Sequence, residues 1–166
     1  DAFKMYQEQV KILADAGIDL IAAETMINIE ETLAAVDAAN SVCNLPIMCT
    51  MTVEADGSIF SGGNAIEAAV SLEAAGADAV GINCSVGPDQ LVSVVRSIKE
   101  NVSIPVIAKP NAGMPTIDDK GNAVYSMNPE DFASYMKILI ENGASVVGGC
   151  CGTTPAFIRA LHDSIR

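Results

Sequence analysis

Three cysteines occupy matching places in a repeated pattern, and thiols so placed can do chemistry. The segments AGIDLIAAET (16–25), AGADAVGINC (75–84) and NGASVVGGCC (142–151) each read as a Gly-terminated helix end followed by a short apolar run. They diverge at the tips, which carry Glu24–Thr25, Asn83–Cys84 and Cys150–Cys151. Thiolates bind zinc well, and three protein ligands leave a fourth position for water or substrate. Three thiolates also make the site too electron-rich to activate water strongly. Such a site suits holding an incoming thiol as a thiolate that stays nucleophilic. The chemistry implied is alkyl transfer to a thiol rather than hydrolysis.

Two other uses of these cysteines compete with zinc. Disulfides are disfavoured, because five cysteines is an odd count and the opening segment DAFKMYQEQ has no signal-like apolar stretch. Reduced thiols and a cytoplasmic protein are the expectation. The spacing C-x65-C-C matches no finger or ribbon, so small packed core cysteines stay open as the alternative. Adjacent strand residues point to opposite faces, so Cys150 and Cys151 cannot share a site from a regular strand. Gly148, Gly149 and Gly152 surround the pair and allow the backbone to curl there.

The elements that must position these tips follow from the repeat. LPIMCTMT (45–52) and IPVIAKPN (104–111) are two further apolar runs, and Gly17 to Gly76 and Pro46 to Pro105 both span 59 residues. The next step, Gly76 to Gly143, is 67 residues, which points to an insertion in the polar stretch 114–127. That stretch is expected to be a loop, either a plain surface insertion or a cover that meets a donor partner. Between the runs lie segments with apolar residues at helical spacing: 28–42, 64–76, 89–101, 129–143 and 155–166, with a further helix at about 2–16. Asn28, Asn128-Pro129 and Thr154-Pro155 are start signals, and Gly17, Gly76 and Gly143 are stops. Continuous apolar strands alternating with helices predict a parallel α/β sheet buried on both faces. No G-x-G-x-x-G follows a first strand, which disfavours a dinucleotide fold. A (β/α) barrel of TIM type, or part of one, is the expected architecture.

Composition narrows the function. Half of the 166 residues are hydrophobic but only 4% are aromatic, and 13 are Gly, a mix suited to close backbone packing. Nine basic against 21 acidic residues give a net charge of -12, which argues against nucleic-acid and membrane-surface partners. No apolar run reaches the roughly 20 residues of a membrane span.

The motifs around the cysteines also carry a resemblance. GINCS at Cys84 and GGCCGTTPAFI at Cys150 and Cys151 closely resemble the zinc motifs of the homocysteine S-methyltransferase family. KPNAGMP (109–115), followed by Tyr125-Ser126-Met127-Asn128-Pro129-Glu130, is similar to the homocysteine-binding module of cobalamin-dependent methionine synthases. The resemblance covers essentially residues 1–166. It implies a (β/α)8 barrel with zinc on Cys84, Cys150 and Cys151 and homocysteine sulfur as fourth ligand. Glu24 matches the residue expected to hold the substrate ammonium. Asn83 matches the Asn before the first zinc cysteine, a substrate-side residue that orders the metal site. The methyl donor so implied is methylcobalamin on another module, or a folate-linked one.

The resemblance also implies a shortfall. The chain supplies about five of eight βα units, those resembling the fourth to eighth, without the Asp-Gly-Gly type turn of the earlier ones. Open sheet edges would then need cover from a complementing chain or a second copy. A non-catalytic zinc-binding or assembly fragment, and methyl transfer to a different thiol, are the alternative functions. Among the remaining residues, Asn83 has a second reading as a helix cap. Lys109 is expected to pair with a nearby acid or face the mouth. Cys43 and Cys49 are expected to pack, and His162 to lie on the surface beside Asp163.

Overall fold

The strand order of the main sheet decides between the two parallel α/β architectures. A computed structural model describes residues 2–166. Helix α1 (Ala2–Asp15) leads into β1 (Ile21–Met26), α2 (Ile29–Val42), β2 (Ile47–Met51), α3 (Ala65–Ala74) and β3 (Ala79–Cys84). A 3-10 turn at Pro88–Gln90 precedes α4 (Val92–Asn101) and β4 (Val106–Pro110). A hairpin of β5 (Pro115–Ile117) and β6 (Ala123–Tyr125) follows, then α5 (Pro129–Glu141), β7 (Ala144–Val147) and α6 (Pro155–Ser164). The five long strands form one parallel sheet in the order β1-β2-β3-β4-β7. Spatial order equals chain order, without the reversal that defines a doubly wound sheet. This is the winding of a (β/α) barrel, present as five strands.

Curvature agrees with that winding. Glu24 on β1 and Lys109 on β4 form an ion pair although two strands lie between them. Three strand spacings on a flat sheet come to roughly 14 Å, more than these two side chains bridge. The sheet is therefore concave on the face that carries both residues.

The small-residue composition is used for close approach. Val80, Val106 and Ile107 are fully buried in the strands, and Val36, Ala38, Ala39 and Ala68 are fully buried on the helices. A Cβ at Gly81 would run into the backbone of Ile107 on the adjacent strand. Among the few aromatics, Phe132 and Phe157 join α5 to α6 edge to face, with ring centroids 5.5 Å apart.

The helix signals mostly operate as expected. Asn28 and Asn128 accept from the Glu31 and Asp131 amides, and Gly17, Gly76 and Gly143 take left-handed conformations after their helices. Thr154 stands at its N-cap without a side-chain bond to the helix. Asn64 and Glu67 form a reciprocal capping box. The expected helix at 89–101 begins as a 3-10 turn, where Pro88 starts a separate short segment. The expected loop at 114–127 contains an antiparallel hairpin. Its reversal is local: Asp118 accepts from the Lys120 and Asn122 amides, and Gly121 sits at φ 82°.

β1 and β7 are the two edges of the sheet. Along β1, beneath α1, runs a groove of about 440 Å³ lined by Tyr6, Val10, Leu13, Ile21 and Ala23 and reaching Glu24. Among the described residues, no helix is long and apolar enough to cross a membrane.

Cys49 is fully buried in β2, and burial pushes its thiol up to about 12 from an ordinary 9.0. A raised value favours the folded state below the unfolded value and loses that advantage as pH climbs toward the folded one. Stability is therefore expected to hold to about pH 9 and to fall by about 1 kcal/mol by pH 10 through this thiol. Urea unfolding at pH 8 and 10 checks this: the drop should be smaller in Cys49→Ala, and an equal drop would contradict it.

Candidate metal centre

The strand tips leave the β conformation where the candidate residues begin. Thr25, Cys84 and Ser85 have φ of 62°, 62° and 69°, the non-glycine residues with positive φ among those described. For a β-branched residue such as Thr25 this is a true outlier, costing on the order of 1–3 kcal/mol. A single buried side chain holds it. Asn83, 1% exposed, accepts from the Thr25 amide at 2.9 Å and donates to the Thr25 hydroxyl at 2.7 Å. Its oxygen also accepts from the buried Thr50 hydroxyl at 2.7 Å, and its NH2 group lies 3.7 Å from Cys150 Sγ. The amide orientation is forced, because the Thr25 N–H can only donate. Asn83 caps no helix; Gly87 and Leu91 take the cap positions that follow. It joins the tips of β1, β2 and β3 to the cysteine turn after β7.

That turn carries Cys150 and Cys151. β7 ends at Val147, and the backbone then curls, with Cys150 N donating to Pro110 O and Ala112 N to Cys151 O. Asn111, 4% exposed, accepts from Cys151 N at 3.1 Å and donates to Ser85 O at 3.0 Å. Two buried asparagines at neighbouring strand ends thus hold the two cysteine-bearing segments against each other.

The sulfurs of Cys84, Cys150 and Cys151 lie within 4.8 Å of one another, and Cys84 to Cys151 is 3.6 Å. All are free thiols, far beyond the bonding distance of a disulfide. Zinc–sulfur bonds of about 2.3 Å in tetrahedral geometry put sulfurs roughly 3.8 Å apart, so the cluster fits a zinc ion with little movement. Partial burial, and hydrogen bonds with Cys151 and Cys150, push the Cys84 thiol up to about 11. Without a cation the Cys84 thiol keeps its proton, and a divalent metal must displace it.

The hairpin stands at this cluster rather than away from it. Tyr125 on β6 lies over Gly152, and a Cβ at position 152 would strike its ring. The Tyr125 hydroxyl is held above its ordinary value by loss of water first, and then by its electrostatic and hydrogen-bond interaction with Cys151. Met127 N donates to Ala112 O and anchors the returning strand.

Glu24 projects from β1, about half exposed, and its Oε1 takes the Lys109 ammonium. Lys109 is in register with Asn83, so it belongs to the same face of the sheet. The remaining candidates stay apart from the cluster. Cys49 is core, Cys43 is half-buried with its thiol toward Ala39 O, and His162 is exposed on α6 beside Asp163. Thr25, Thr50, Asn111 and Tyr125 carry no role in the sequence reading. The Asn that closes IPVIAKPN, matching the Asn of GINC, was the available signal for Asn111.

Comparison with known proteins places the chain in a family. The family model for homocysteine S-methyltransferase matches residues 1–165. Methionine synthase of Mycobacterium tuberculosis is 35% identical over 96% of this chain, which spans 14% of that protein. Homocysteine S-methyltransferase 3 of Zea mays is 35% identical over 97% of the chain, which spans 48% of it. Among solved structures, the apo form of the homocysteine methyltransferase MmuM from Escherichia coli superposes with a TM-score of 0.78 at 24% identity. That match covers 98% of this chain and 57% of the other. The chain belongs to the homocysteine S-methyltransferase family. It spans about half, or less, of the length of these curated relatives.

Removing the Asn83 amide takes its partner from the Thr25 amide and leaves the buried Thr50 hydroxyl unpaired. Asn83→Ala should cost about 2–4 kcal/mol in urea unfolding. Gly152→Ala should weaken metal binding, because its Cβ would displace Tyr125 and because alanine resists the left-handed conformation of Gly152. Chelator competition with Gly152→Ala and with Tyr125→Ala, which opens the space, separates the two causes: the double variant should bind metal better than Gly152→Ala alone.

Proposed function

We propose that this chain is the zinc-binding, carboxyl-terminal part of a homocysteine-binding (β/α)8 barrel, serving methyl transfer to homocysteine to give methionine. The observation that carries the reading is the cluster of three free thiols at the strand tips, set by Asn83 and Asn111. Cys84, Cys150 and Cys151 would hold zinc, leaving one position for a thiol. Zinc bound there supplies charge that keeps an incoming thiol deprotonated near neutral pH while the sulfur remains nucleophilic.

The chain's own residues do the rest. Glu24 receives the substrate ammonium through a carboxylate that is about half exposed at the mouth. Asn83 sets the Thr25 turn that aims Glu24 and touches Cys150, so it couples the amino-acid end of the site to the sulfur end. Tyr125 on the hairpin packs over Gly152, beside the cysteine turn. The donor is proposed to be a methyl-corrinoid presented by a separate module, on the resemblance of KPNAGMP and the 35% identity to a methionine synthase. The remaining βα units of the barrel would close the sheet between the β7 and β1 edges, with the groove beside β1 as their seat.

Full-length wild-type protein should carry one zinc per chain by metal analysis, and Cys84→Ser should carry little. Zinc affinity should fall as pH is lowered, because protons compete for the thiolates. In cobalt-substituted protein, homocysteine should change the visible absorption, and Glu24→Ala should abolish the change at the same concentration. A metal-free protein with Cys150 in a disulfide, or no response at about millimolar thiol, would overturn the reading.

A further inference from the structure

Lys109 stands out among the charges of this molecule. The chain has nine basic residues and a net charge of -12. Eight of the nine lie on helices, on the hairpin turn or at the carboxyl-terminal end, and Lys109 alone lies in a strand of the main sheet. Its side chain is 21% exposed, more buried than its partner Glu24 at 46%. The β4 register fixes it beside Asn83, the residue that touches Cys150. Its stem lies against Gly148, with a Cβ there in ordinary contact with Cγ and Cδ at 3.4 and 3.5 Å.

A partly buried ammonium whose ion partner is also the proposed substrate contact poses a physical question. An α-amino acid entering this site brings a carboxylate as well as an ammonium. Three zinc-bound thiolates and Glu24 already make the site negative, so that carboxylate needs a cation when it leaves water. Only one oxygen of Glu24 takes Lys109, so a second ammonium can join the same carboxylate without displacing the first.

We propose that Lys109 is the carboxylate contact of the site, so that Glu24 and Lys109 together form a receptor for the zwitterionic end of an α-amino acid thiol. Between ligands the two residues neutralise each other. When the amino acid arrives, its ammonium adds to Glu24 and its carboxylate takes Lys109, giving four alternating charges in one cluster. The arrangement selects thiols bearing both groups over simple alkyl thiols, and it defines the substrate class. This proposal rests on the reading of Glu24 as the ammonium contact.

The test uses the zinc-loaded full-length protein and calorimetric titration with homocysteine, homocysteine amide, 3-aminopropane-1-thiol and 4-mercaptobutanoate. A charge-assisted contact predicts that wild type binds homocysteine roughly 10- to 100-fold more tightly than the amide. Lys109→Met should erase that preference and weaken 4-mercaptobutanoate, while 3-aminopropane-1-thiol binds within about twofold of wild type by the same criterion. Lys109→Arg should restore binding of homocysteine. Equal wild-type affinity for homocysteine and its amide overturns the proposal without any variant. So does an equal loss of all thiols in a Lys109→Met protein that keeps its zinc, which is the signature of a structural role. Failure of the Glu24 reading looks different: Glu24→Gln would bind homocysteine and 3-aminopropane-1-thiol as wild type does, whatever Lys109→Met does to 4-mercaptobutanoate.

Discussion

One buried carboxamide ties the site together. Asn83 is the last residue but one of β3, yet its partners belong to β1, β2 and the turn after β7. A parallel sheet fixes strands through backbone bonds along their length, but these bonds stop at the tips, where the functional side chains must sit. Asn83 extends the order past that point. It satisfies the amide and hydroxyl of Thr25 and so sustains a left-handed conformation that a threonine would otherwise avoid. Asn111 does the corresponding task one strand on, between Ser85 and Cys151. Three sulfurs then stand within 4.8 Å of one another before any ion is considered.

Preorganisation of this kind has a chemical use. Partly buried and set among two further thiols, Cys84 resists ionisation without a cation. The charge of a divalent ion reverses that preference, so the geometry stores an affinity for soft metals that an extended chain lacks. On the other side of Asn83, the Glu24–Lys109 pair provides opposite charges on the concave face of a protein that is otherwise strongly acidic. On the proposed reading, the sulfur of an amino acid thiol meets the cysteine cluster and its charged end meets the Glu24–Lys109 pair. The same concave face requires the sheet to wind in one direction, which is why fold and site stand or fall together.

Much of this was legible in the residues. The 59-residue repeat located the strands and their tips, and divergence at those tips singled out Glu24, Asn83, Cys84, Cys150 and Cys151. Glycines around the cysteine pair signalled the curl that lets both face one place. Other features were hidden for physical reasons. The left-handed turn at Thr25 carries no glycine, because a side chain 58 residues away holds it. Asn111 looks like any polar strand end until the cysteine turn packs against it. The hairpin at 115–125 is short and mostly exposed, so polarity masked its pairing and hid the placement of Tyr125 over Gly152. Asn83 as a helix cap was a sound local reading, overridden by partners from three other segments.

X-ray absorption at the zinc edge of the full-length protein tests the central claim most directly. The account predicts three sulfur neighbours at about 2.3 Å and one lighter atom in the ligand-free protein, with the lighter atom replaced by a fourth sulfur on adding homocysteine. Fewer than three sulfurs, or a first shell that homocysteine leaves unchanged, would contradict it.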